Sequence, residues 1–236
     1  MTEADLTGRR VLLTGASRGV GRAVAQRLVA AGADVLGTAR DAALLEEVAA
    51  EVSGPGTFVP VVADLTDPGS PARLAAEVAQ RWGALDVLFS NAGVMLSHAD
   101  RFEDEPAGTL EATLEVNLLA PHRLVIALLP ALRAGSEPRV VHVGSGAGTI
   151  DGASEPGIAS YRVSKYALNG LILVQAAQLR GEVAVNGLDP GWVKTDLGGD
   201  EAPGTVEESA DGAMALLAEP ASVTGRFFKD GAEIPF

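Results

Sequence analysis

The chain has no cysteine among its 236 residues. Disulfides, thiol nucleophiles and thiolate metal sites are therefore excluded, and the composition fits a reducing compartment. Positive charge is scarce. Lys and Arg number 18 against 31 Asp and Glu, for a formal net charge of -13. That balance opposes a phosphate-backbone or anionic-membrane partner, yet leaves room for a small anion in a locally basic pocket. The histidines, His98, His122 and His142, are widely spaced, so no metal site is expected. His142 reads as a buried strand residue. Long apolar runs are also missing. Leu118 to Leu132 is broken by Pro121, His122, Arg123 and Pro130, too short and too polar to span a bilayer. Met1 to Arg10 is polar and acidic, without a signal-peptide core. A cytoplasmic protein with neither nucleic-acid nor membrane partners is expected.

What is present is 47% hydrophobic residues, enough for a substantial core, in short Val- and Leu-rich runs alternating with longer Ala-rich amphipathic runs. Strands are expected at Arg10–Gly15, Asp34–Thr38, Thr57–Val62, Leu85–Ser90, Arg139–Val143, Val183–Leu188 and Val223–Phe228. Helices are expected at Gly19–Ala31, from Asp41 to Val52, and over Ser70–Trp82, Leu110–Ala134, Ser160–Leu179 and Val206–Ala218. Strands alternating with helices imply βαβ units on a parallel sheet. The strands are apolar almost throughout, as when both sheet faces are covered. No linker divides the chain. The expected fold is a single α/β doubly wound domain of Rossmann type over residues 1–236, with a mostly parallel seven-stranded sheet and helices on both faces.

Thr14-Gly15-Ala16-Ser17-Arg18-Gly19-Val20-Gly21 joins the first strand to the first helix. Glycine there permits a tight turn and lets the backbone approach a pyrophosphate, while the helix N-terminus supplies N–H donors. The spacing is Gly-x-x-x-Gly-x-Gly, and no Lys-Ser/Thr follows, so it is not a P-loop. A plain glycine turn is the bland reading; the position after the first strand favours a dinucleotide. The second strand ends in Thr38-Ala39-Arg40-Asp41. Arg40, with Arg18 in the loop, suits a 2′-phosphate, and Asp41 reads as a helix cap. NADPH is therefore expected over NADH. Asp64, in Ala63-Asp64-Leu65, is a candidate acceptor for the adenine amino group, or else a loop carboxylate.

Tyr161 and Lys165 lie four apart on an expected helix and share a face. A nearby ammonium lowers a phenol's pKa from about 10, towards use as an acid or base near neutrality. Alone, the pair is commonplace on protein surfaces. Tyr166 has Gly170 at the same spacing and so no such partner. A serine hydrolase elbow fails at Ser145, which has Val143 where glycine is required.

Taken together with Asn91-Ala92-Gly93, Asn117, Ser145 and the run from Pro190 to Asp196, these motifs are in the order of the short-chain dehydrogenase/reductase family. The chain resembles that family from residue 9 onwards, and more loosely its carbonyl-reductase-like members. The resemblance implies that Ser145 binds the substrate oxygen, Tyr161 protonates it, Lys165 grips the nicotinamide ribose and biases Tyr161, and Asn117 holds a water for proton relay. Asn91, Ala92 and Gly93 would line the cofactor cleft with Leu65. Pro190, Gly191, Val193 and Thr195 would hold the nicotinamide end. It also implies a homodimer or homotetramer built on the two longest helices. Gly144 stands where the family often has a second Ser, which keeps Ser154 in view as an alternative. Met95, Leu96, residues 150–157, Trp192 and residues 197–203 should border a mostly apolar substrate pocket. The implied activity is NADPH-dependent reduction of a ketone or aldehyde. The alternatives are an NAD-dependent alcohol dehydrogenase, an isomerase or dehydratase on the same fold, and an NADPH-binding sensor without catalysis.

Overall fold

The computed structural model describes residues 5–236. Hydrophobic strands pair in the order β3-β2-β1-β4-β5-β6-β7-β8. The strands are β1 (Arg10–Thr14), β2 (Asp34–Ala39), β3 (Thr57–Val62), β4 (Val87–Ser90), β5 (Arg139–Val143), β6 (Ala184–Leu188), β7 (Phe227–Lys229) and β8 (Ala232–Ile234). All pairings are parallel except β7 with β8. The order reverses between β1 and β4, which opens a crevice at the carboxyl ends of those strands.

Strand alternation divides the core. Val11, Leu13, Val35, Phe89 and Val141 face one layer. Leu12, Leu36, Leu88, Val140 and Val185 face the other. The first layer is covered by α1 (Gly19–Ala30), α2 (Ala42–Glu51) and, with Ala213 and Leu216, by the helix at Val206–Ala218. The second is covered by α3 (Ser70–Trp82) and by the long helices at 109–133 and 159–178.

Two sequence expectations need correction. The sheet has eight strands, not seven. Asp230 and Gly231 both take positive φ, 50° and 76°, which is the two-residue turn that Asp-Gly favours. It folds β8 back on β7 with Lys229 opposite Ala232. The seventh strand correspondingly begins at Phe227 rather than Val223, because Gly225 turns the chain at φ 72°.

The long helix is also interrupted. It runs as α4 (Thr109–Leu114), a π turn over Glu115–Leu119, and α5 (Ala120–Arg133). Pro121 lacks the N–H that would bond the Asn117 carbonyl, and the ladder slips there, with the Ala120 N–H on the Glu115 carbonyl. By length and composition this segment could cross a membrane. Here Leu124, Leu128 and Leu132 are buried against the sheet. The remaining helices are α6 (Ile150–Ala153), α7 (Ala159–Gln178) and α8 (Val206–Ala218). Asp41 caps α2 by accepting from the Leu44 N–H at 3.1 Å, as its cap reading required.

His142 is fully buried in β5, with Nε2 2.9 Å from Gln175 Oε1. Burial lowers its pKa to about 4. The unfolded chain binds that proton near 6.5, so the stability from a neutral His142 is present above 6.5 and is lost as pH falls towards 4. Between pH 7 and pH 5 the loss should be about 2 kcal/mol. His142→Asn should flatten that part of the profile in urea unfolding. Equal losses in wild type and variant would show that other groups govern the acid limb.

Candidate active site

Side chains from both halves of the sheet converge at the crevice, which is a cleft of about 1700 Å³. At its centre the glycine turn passes from β1 into α1. Thr14 accepts the Asn91 and Ala92 N–H groups on its hydroxyl, each at 3.0 Å. The Asn91 amide donates to the Thr14 and Gly15 carbonyls at 3.0 and 3.1 Å. Loop and β4 end are thereby locked together. A Cβ on Gly21 would stand 2.0 Å from the Gly15 carbonyl, so only glycine fits that first helical turn. No side chain caps the N-terminus of α1, and its first turn, Gly19 to Arg22, lines the cleft, where a helix N-terminus suits an anion. Ser17 is buried below the turn and Val20 packs on the first core layer.

One end of the cleft gathers Arg40, Asp64 and Leu65. Arg18 is in an ion pair with Asp196 at 2.6 Å, both side chains being mostly exposed, whereas Arg40 has no ion-pair partner among the described residues. One oxygen of Asp64 accepts from the Thr66 N–H and hydroxyl at 2.9 and 2.8 Å.

The opposite end gathers Gly93, Ser145, Tyr161, Lys165, Pro190, Gly191, Val193 and Thr195. Lys165 Nζ donates to the Val143 carbonyl at 2.8 Å and lies 5.7 Å from the centre of the Tyr161 ring. A Cβ on Gly93 would come 3.5 Å from Nζ and 3.4 Å from Asn117 Oδ1. Thr195 abuts the glycine turn, 3.1 Å from where a Cβ on Gly19 would stand. Ser145 opens the turn after β5 and accepts from the Ala147 N–H at 3.1 Å. Met95, Leu96, Gly152, Trp192 and Leu197 border the same cleft.

The sequence model of the short chain dehydrogenases matches residues 9–205. The chain belongs to the short-chain dehydrogenase family. It is an NAD(P)H-dependent oxidoreductase of that family. It is 31% identical over 232 residues to the 3-oxoacyl-[acyl-carrier-protein] reductase FabG of Salmonella typhimurium, covering 95% of this chain and 91% of the relative. It is 33% identical over 202 residues to the short chain dehydrogenase tazN of Aspergillus terreus, covering 84% of this chain but only 44% of tazN. Among solved structures it matches NADPH-bound carbonyl reductase from chicken fatty liver, with TM-score 0.87 and 30% identity over 100% of this chain and 97% of the other.

Within this short-chain dehydrogenase, one sequence expectation, the direction of the Tyr161 shift, meets a different setting. The Asn117 side chain bonds within the protein. Its Oδ1 accepts from the Val94 N–H at 2.8 Å, and its Nδ2 donates to the Val94 carbonyl and Ser164 hydroxyl, each at 2.9 Å. Its amide therefore pins the loop after β4 to α7. The Tyr161 phenol is pushed above its usual pKa, not below it. Burial is the main cause, a hydrogen bond with Ser145 opposes it, and the Asp189 charge adds to it. Burial likewise lowers Lys165 to about 8, against the pull of Asp189.

Four residues of the site escaped the sequence reading. Glu105 accepts the Ser160 N–H at 3.1 Å and the Ser160 hydroxyl, capping α7 from 55 residues away. Arg162 donates to the carbonyls of Gly152, Pro156 and Gly157 at 2.5, 3.0 and 2.9 Å. Asp189 and Lys229 face each other across 3.8 Å at the cleft floor. Of these, Asp189 had a usable signal, an acid directly before Pro190-Gly191.

Proposed function

We propose that this short-chain dehydrogenase reduces a ketone or aldehyde with NADPH, using Ser145, Tyr161 and Lys165. The observation that carries the reading is the placement of Tyr161, beside Ser145 and Lys165 in one cleft with the uncapped glycine turn. The residues fit a dinucleotide: Gly21 leaves backbone where any side chain would collide, and the uncapped first turn of α1 lines the cleft. When bound, the nicotinamide supplies a hydride. Negative charge then grows on the substrate oxygen. The Ser145 hydroxyl donates to that oxygen, and Tyr161 gives it the proton. The phenolate left behind is reprotonated from solvent. Lys165, anchored on the Val143 carbonyl, holds positive charge beside the ring. Asn117 keeps the Val94 loop in register with α7.

The apolar residues at the mouth, Leu96 and Trp192, favour a mostly apolar substrate. Exposed Leu119 and Ile126 on the long helix, and Val163, Leu173 and Val174 on α7, suit a homodimer or homotetramer. In this reading its compartment is the cytoplasm, in keeping with the absence of cysteine. NADPH consumption with a panel of ketones and aldehydes tests the activity; no turnover on any of them would sink it.

Arg40 sets the cofactor preference. With its guanidinium free to pair a 2′-phosphate, NADPH should bind at least about tenfold tighter than NADH, roughly 1.4 kcal/mol. Arg40→Asp should move the preference towards NADH, because a carboxylate repels that phosphate. Titration followed by nicotinamide fluorescence checks both. Equal affinities in the wild type would remove Arg40 from the role.

A further inference from the structure

Asp189 follows β6 directly and is only 5% exposed. Its Oδ1 accepts from the Gly191 N–H at 3.0 Å. Its Oδ2 lies 3.8 Å from Lys229 Nζ, and 3.1 Å from where a Cβ on Gly146 would stand. The carboxylate thus sits under the turn that carries Ser145, on the floor of the cleft. The Lys229 side chain is 44% exposed, so solvent weakens its half of the pair. A buried carboxylate balanced only in part projects its charge onto its neighbours. Val143, whose carbonyl Lys165 Nζ bonds, pairs with Leu188 directly before Asp189, and Tyr161 lies beside that ammonium in the same cleft; the charge strengthens proton binding at both.

The other ionisable groups around the pair are committed elsewhere. On α7, Arg162 is bound to three loop carbonyls. Glu105 is bound to Ser160. His142 on β5 is turned to Gln175 and stays neutral. Lys194 and Glu207 line the cleft without perturbing either group.

We propose that Asp189 is an electrostatic positioning residue of this site, its buried carboxylate holding Tyr161 as the phenol and Lys165 as the ammonium, with Lys229 setting how firmly. The proposal rests on carbonyl reduction as the reaction. The phenol is the form that donates a proton to the oxygen as the carbonyl π pair moves onto it. Alcohol oxidation needs the phenolate instead. Asp189 therefore biases the site towards reduction, and Lys229 relaxes that bias.

The chain has two tyrosines. In a Tyr166→Phe background, the ultraviolet absorbance of tyrosinate reports Tyr161 alone. Alkaline titration of that full chain, without added cofactor, reads its proton affinity directly. Asp189→Asn keeps the Oδ1 acceptor for Gly191 and removes the charge. It should lower the Tyr161 midpoint by roughly one pH unit, a tenfold change in proton affinity. Lys229→Met should raise it. The upper limb of the reduction pH profile should move the same way in each variant. Opposite shifts support the proposal. No shift, or shifts in one direction for both variants, overturns it. If Asp189→Asn does not fold, the sign of the Lys229→Met shift decides. A wild type that reduces carbonyls while its tyrosinate midpoint ignores both substitutions defeats the role of Asp189 alone. A wild type inert to every carbonyl defeats the functional reading, while the titration still judges the charge coupling.

Discussion

Tyr161→Phe should lower carbonyl reduction by about 10²- to 10⁴-fold, the range for removing a positioned general acid. The ring and its packing remain, so folding and NADPH binding should stay close to wild type. Tyr166→Phe is the control. That phenol is exposed and about 140° round the helix from Tyr161, with no lysine a turn away, so its loss should cost little. Because burial and Asp189 hold the Tyr161 proton on, reduction should persist into alkaline solution and fall only as the phenol ionises. Steady-state rates against pH for the three proteins provide the check. If Tyr161→Phe turns over normally and Tyr166→Phe does not, the acid has been misassigned.

Ser145→Ala should reduce kcat on the order of 10²-fold, comparable to removing one oxyanion donor, with a much smaller effect on cofactor affinity. The same hydroxyl accepts from the Ala147 N–H, so its loss should also cost about 1 kcal/mol in the turn after β5. Thermal unfolding separates the two effects. A variant that is destabilised yet keeps full kcat would leave Ser145 as a turn residue only. Ser154 would not then inherit the role easily, because its hydroxyl already donates to the Ile150 carbonyl at 3.0 Å.

The parts legible from sequence are those in which a local pattern demands particular residue types. The glycine turn needs Gly21 because backbone fills the space of a side chain, and Tyr161 and Lys165 share a face through helical spacing alone. Asp230-Gly231 was equally readable as a hairpin, but β7 and β8 have three residues each, too few for a visible alternation. Pro121 was visible as a break in an apolar run; its effect, a slipped ladder around Asn117, depends on the partners that hold the helix on either side. Glu105, Arg162 and the Asp189–Lys229 pair were hidden for another reason. Their meaning lies in who faces them across the fold. The sign of the Tyr161 shift has the same origin. Spacing shows a lysine nearby, but only the packed cleft shows that desolvation outweighs it.

The bonds on either side of Tyr161 bear on how this enzyme can change. Ser160 is tied to Glu105 and Arg162 to three carbonyls of the segment 152–157, of which Gly152 lines the cleft. Carbonyl oxygens are common to every amino acid. The clamp of Arg162 therefore reads the path of that segment and is indifferent to its side chains. Exposed Ile150, Asp151, Ser154 and Glu155 can be exchanged while the acid keeps its place. The side chains of that segment and the position of Tyr161 are thereby uncoupled at adjacent residues of one helix, so substitutions confined to those four positions should leave the packing around Tyr161 as it is.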